Sequence, residues 1–140
     1  MSHAALVSGI ALANSGLGLA HGVAAALGAE CRAAHGLACA VMLPVALEAN
    51  RAVSEAELAT LGRIACGETS NNDRGAAADI FVNRIKFLAA EIGIPSRLRD
   101  LGVRREQIPA LVTGSHGNSL AGNPHDINDE ELTELLEKIW

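Results

Sequence analysis

Along most of the chain the apolar positions recur every three to four residues, and no stretch alternates cleanly with a period of two. β-branched residues are sparse, so the pattern predicts helices and no strand. Residues 4–14 form the first predicted helix, broken by the NSGLG stretch at 14–18. Residues 17–27 form the second, ending at Gly28. A loop over 28–35 leads to a third helix at 36–50. Pro44 lies inside it and predicts a kink or a restart, because proline has no amide hydrogen and its ring crowds the preceding turn.

Ser54 and Glu57 have capping-box spacing and open a helix over 55–65. The polar GETSNNDRG stretch at 67–75 reads as a loop. A strong helical pattern follows over 76–92, with Phe81, Ile85, Leu88 and Ile92 on one apolar stripe. GIPSRL at 93–98 ends that helix and starts a short one, with Pro95 stopping regular pairing, and another short helix is predicted over 104–112. Residues 114–126, dense in Gly, Asn and Ser, read as a loop. Asn128 caps a last helix with Glu131 as its box partner, and Leu132, Leu135, Leu136 and Ile139 form its buried face.

Composition sharpens the fold class. Of the 140 residues 49% are hydrophobic but only 2% aromatic, so the core must be built from Ala, Leu, Val and Ile. Small side chains suit closely packed helices, and the expectation is a single all-α bundle over 1–140. A net charge of −5 argues against a nucleic-acid role, which normally shows a basic patch. Cys31, Cys39 and Cys66 form no CxxC pair and are odd in number, which argues against a secreted disulfide framework. No basic segment precedes the apolar N-terminal run, and a cytoplasmic location is expected. Residues 4–29 carry no Asp, Glu, Lys or Arg. Gly9, Gly16, Gly18, Gly22 and Gly28, with Asn14 and His21, interrupt them, so a buried bundle centre is favoured over a membrane span.

Two imidazoles fall in this apolar region. His21 shares a helix face with Leu17 and Ala24, and His35 stands at a loop-to-helix junction. Each reads either as a core histidine bonded to a carbonyl or as a metal ligand. Cys31, His35 and Cys39 fall at i, i+4 and i+8, which would make a ligand face on one unbroken helix, but Gly28 and Gly36 argue against that continuity. His116 and His125 lie in the polar loop, are expected to be solvated, and show no acidic partner suited to metal binding.

The segments GLGLAHG and AHGLACAVMLPVALEANR, thirteen residues separating the two His, resemble the C-terminal domain of the iron-containing (group III) alcohol dehydrogenases. EIGIPSRLRDLGV is similar to that family's downstream helix and turn, and GNPHDINDEELTELLEKIW to its ending. The resemblance covers the whole chain. It implies a helical domain facing a dinucleotide-binding domain, with a divalent metal, iron or sometimes zinc, held by one Asp and three His. The metal polarises the substrate alcohol and hydride passes to NAD(P). His21 and His35 match the last two ligands.

The family's Asp-x-x-x-His motif and its Gly-rich nucleotide turn are not among these residues, so the ligand set carried here is incomplete. Ala25 and Ala26 stand where many members carry a second active-site His and a Pro. The chain alone is therefore expected to be inactive, with an N-terminal dinucleotide-binding partner supplied in trans. The alternative is a non-catalytic helical oligomerisation module descended from that domain. In either case residues 4–27 are expected to leave an uncovered apolar face and to mediate a homo-oligomer.

Overall fold

The computed structural model describes residues 2–65 and 73–140. Among them the elements are helices and two short 3-10 turns, with no strand. The helices are α1 (Ser2–Ser15), α2 (Leu19–Cys31), α3 (His35–Ala49), α4 (Glu55–Ala65), α5 (Arg74–Glu91), α6 (Ile108–Ser115), the single turn α7 (Asn118–Ala121) and α8 (Asp129–Lys138). The 3-10 turns, Leu98–Leu101 and Arg105–Gln107, lie between α5 and α6. The predicted loop at 67–75 falls mostly outside the described residues, as does Cys66.

The core gathers around α2. Leu19, Val23, Ala24 and Leu27 are fully buried and meet Met42 of α3, Leu111 of α6, and Leu132 and Leu136 of α8. Aliphatic and Ala side chains fill this core, as the composition requires. Their small size lets backbones approach. A Cβ at Gly22 would meet the Ser115 carbonyl oxygen at 3.0 Å and Leu120 Cβ at 3.2 Å, so α6 and α7 lie almost against the α2 backbone. The C-terminal end is pinned by the Trp140 indole, which donates to the Val103 carbonyl at 3.1 Å. Asn128 caps α8 as its sequence demands, its Oδ1 accepting from Glu131 N–H at 2.9 Å.

Three local expectations change. α2 runs through Gly28 to Cys31, because packing against α3 and α6 outweighs the glycine's poor helix propensity. It ends instead at Arg32, a non-glycine residue in the left-handed conformation at φ 56°. α3 continues through Pro44 as one element. The buried face of α5 is Ala77, Ala78 and Val82, while the predicted stripe ends on exposed Leu88 and Ile92. α5 packs with α4 around a separate small cluster of Leu58, Ala59, Ala77, Ala78 and Val82.

A polar lock sets the base of α2 against α3. The amides of Asn50 and Asn123 pair reciprocally, Asn50 Nδ2 donating to Asn123 Oδ1 at 2.9 Å and Asn123 Nδ2 to Asn50 Oδ1 at 2.8 Å. Asn123 Oδ1 also accepts from Leu19 N–H at 3.1 Å. Gly18 provides no side-chain cap, so a residue from the far end of the chain caps α2.

α1 contrasts with the rest. It buries no residue, and Leu6, Val7, Ile10 and Leu12 are exposed. Among the described residues no single helix is long and apolar enough to cross a membrane; α1 and α2 reach that length only together, and they are bent by 84° at the break between them.

Candidate metal centre

His21 occupies the first turn of α2, where its own N–H donates to the Gly18 carbonyl at 3.1 Å. His35 is the first residue of α3, and Cys39 follows it by one turn on the same helix. The two imidazoles, from different helices, come together with ring centroids 5.3 Å apart and planes at 45°. Both sequence-identified residues therefore meet in space. Cys39 joins them: its Sγ lies 3.5 Å from His21 Nδ1 and 3.5 Å from His35 Nε2. One ligand atom from each of the three residues falls within a 4.8 Å spread.

The cluster sits at the surface. His21 and Cys39 are half-buried and His35 is exposed, so one side of the trio faces solvent. Burial pushes the Cys39 thiol above its ordinary pKa. Two imidazoles and a sulfur are donors suited to zinc and iron, and their convergence from two packed helices fits a divalent cation. Asn123 holds the start of α2, and with it the turn that carries His21, against the end of α3.

The i, i+4, i+8 pattern resolves into two parts. The chain leaves helical geometry at Arg32, so Cys31 ends α2 while His35 and Cys39 share one face of α3. The Cys31 thiol is raised first by burial and then by the neighbouring Glu30 carboxylate. Cys39 was legible only as part of that pattern. Its contact with His21 is long-range and has no local sequence signal.

The loop histidines also differ from expectation, since each has an acidic partner on α8. His116 Nε2 lies 2.6 Å from Asp129 Oδ1, and His125 Nε2 lies 2.8 Å and 3.0 Å from the two Glu131 oxygens. Glu131 thus turns toward His125, the alternative to completing the predicted capping box. These are pairs at or near the surface, and neither belongs to the three-residue cluster.

Comparison with known proteins agrees with this architecture. Residues 1–140 match the family described as Fe-containing alcohol dehydrogenase family, C-terminal. The chain is 33% identical over 135 residues to lactaldehyde reductase of Escherichia coli (strain K12), covering 96% of this chain and 35% of that protein. It is 33% identical over 142 residues to 1,3-propanediol dehydrogenase of Citrobacter freundii, covering 100% of this chain and 36% of that protein. The crystal structure of a 1,3-propanediol oxidoreductase superimposes with a TM-score of 0.89 at 29% identity, over 96% of this chain and 36% of that one. An alcohol dehydrogenase from Oenococcus oeni gives 0.83 at 30% identity, over 94% and 35%. The chain spans about a third of the length of the relatives it matches. Its helical fold, the motifs around His21 and His35, and these matches across its whole length place the chain in the family of iron-containing alcohol dehydrogenase C-terminal domains.

Proposed function

We propose that this chain is the helical, metal-holding part of an iron-containing, NAD(P)-linked alcohol dehydrogenase acting on a small alcohol or the matching aldehyde. The observation that carries the proposal is the meeting of His21 and His35, from two helices, at a ring separation of 5.3 Å. In this reading the two imidazoles hold a divalent cation, iron or zinc. When bound, the metal supplies Lewis-acid polarisation of the alcohol oxygen. The chain's own contribution is positional: α3 presents His35, and the Asn50–Asn123 lock fixes the turn of α2 that bears His21. An N-terminal dinucleotide-binding part, acting in trans or joined in a longer polypeptide, brings NAD(P) and the remaining Asp and His ligands; the helical part alone is inactive. The names of the relatives, lactaldehyde reductase and 1,3-propanediol dehydrogenase, support the substrate class.

The test is metal content. After incubation with Fe(II) or Zn(II) and removal of the excess, the purified chain is expected to retain one metal ion. His21→Ala and His35→Ala are each expected to weaken retention about 10-fold or more while the helical circular dichroism stays unchanged. Equal retention by both variants refutes the assignment. Turnover of 1,3-propanediol with NAD(P) by the chain alone refutes the need for a partner.

A second reading, a non-catalytic helical module that self-associates, is favoured by α1. Of the segment 4–27, the α2 half is largely covered within the chain, while Leu6, Val7, Ile10 and Leu12 remain exposed. The apolar surface available for a homo-oligomer is therefore that of residues 4–15. Light scattering is expected to show a dimer or larger species, reduced by Leu6→Ser with Ile10→Ser; a monodisperse monomer counts against it.

A further inference from the structure

We propose that Cys39 is a third metal ligand, so that His21, His35 and Cys39 form a two-nitrogen, one-sulfur face that takes zinc in preference to iron. The proposal deepens, and rests on, the assignment of a metal to His21 and His35.

The distances carry it. In a tetrahedral zinc site the bonds are about 2.3 Å to sulfur and about 2.0–2.1 Å to imidazole nitrogen, which places the two donors about 3.5 Å apart. Cys39 Sγ stands 3.5 Å from a nitrogen of each ring. One S–H proton serves only one ring nitrogen at a time, whereas a single cation satisfies all three donors. The backbone supports the arrangement: His35 and Cys39 are one turn apart on α3, and α2 supplies His21 from the side. With three ligands on one side and His35 exposed, the open side of the site faces outward, toward water in the chain alone and toward the Asp and His of the N-terminal part in the assembled enzyme. As the metal–sulfur bond forms, the thiol proton passes to solvent. A thiolate is a softer donor than carboxylate or imidazole and shifts the preference toward zinc.

The test uses the whole chain, first freed of metal with a chelator. Co(II) replaces zinc as a spectroscopic probe, and Zn(II) affinity is measured by competition with a chromophoric chelator. The expected result is a near-ultraviolet sulfur-to-cobalt charge-transfer band in the native chain and in Cys31→Ser. The band is absent from Cys39→Ser and Cys39→Ala, and Cys39→Ser lowers Zn(II) affinity about 10- to 100-fold. Circular dichroism of each variant reports folding, and the two Cys39 substitutions check one another. Cobalt bound in a His21-dependent way, with no sulfur band and unchanged zinc affinity in Cys39→Ser, overturns the Cys39 proposal and leaves the two-imidazole site standing. A band that survives in both Cys39 variants assigns the sulfur elsewhere and also overturns it. Failure of the native chain to bind either ion overturns both readings.

Discussion

Replacing Asn123 by Ala removes four hydrogen bonds at once. Its Oδ1 accepts from Leu19 N–H and Asn50 Nδ2, and its Nδ2 donates to Asn50 Oδ1 and, at 2.7 Å, to the His125 carbonyl. Each such bond contributes about 0.5–1.5 kcal/mol net, so the simple sum spans about 2–6 kcal/mol. The lower end applies. Asn123 is half-buried, water replaces some of the lost partners, and Asn50 keeps its bonds to the Ala46 carbonyl and to His125 N–H. The expected cost is about 2–3 kcal/mol. With a urea m-value of about 1.5–2 kcal/mol/M, this lowers the unfolding midpoint by about 1–2 M. Asn123→Asp retains the shape but turns an acceptor toward Asn50 Oδ1 and the His125 carbonyl, so it is expected to cost at least as much. Asn118→Ala, at an exposed position, serves as the control and shifts the midpoint little. A loss below about 0.5 kcal/mol in Asn123→Ala refutes the idea that this side chain holds the base of α2.

Other consequences follow from single residues. Arg32 adopts the left-handed conformation at the end of α2, which costs an L-residue with a Cβ about 1–2 kcal/mol. Arg32→Gly is expected to stabilise the fold by about 1 kcal/mol after the glycine's greater unfolded-state entropy is subtracted, and thermal unfolding measures it; a lowered melting temperature contradicts the cap geometry. Asp79 is held below its ordinary pKa chiefly by its hydrogen bond from Arg51, Nε to Oδ1 at 2.6 Å. A depressed folded-state pKa means a contribution present above the unfolded value and lost as pH falls through the folded one. Asp79→Asn is therefore expected to flatten the decline in stability below about pH 4, and an unchanged acid limb argues against the pairing.

The fold class was legible because an aliphatic, aromatic-poor composition and a helical period agree at every level. Helix ends were less so. Gly28 carries a local stop signal that the packing of Leu27 and Ala26 overrides, while Arg32 ends the helix without any. On α5 the apolar stripe was legible only at its start: Phe81 packs against the cluster while Leu88 and Ile92 stay exposed, and Gly62 with Ala77 lets α4 approach so closely that alanines line the contact. His21 and His35 stood out because imidazole is unusual in an apolar run. Cys39 did not, since a cysteine there is equally at home as a small core residue. The acidic partners of His116 and His125 were missed because they sit on the next helix and meet those histidines only when the loop folds back.

The α4–α5 hairpin has its own small cluster and leaves a cavity of about 280 Å³ between α3, α5 and the segment that follows it. Leu47 of α3 packs against that cluster, and polar pairs add the rest: Arg51 to Asp79 and Glu55, and Lys86 to Glu48. Such a unit can detach while the body around α2 stays intact. Amide deuterium uptake should therefore separate into two tiers, with α4 and α5 exchanging through a shared partial opening and the amides of α2, α6 and α8 exchanging only when the whole domain unravels.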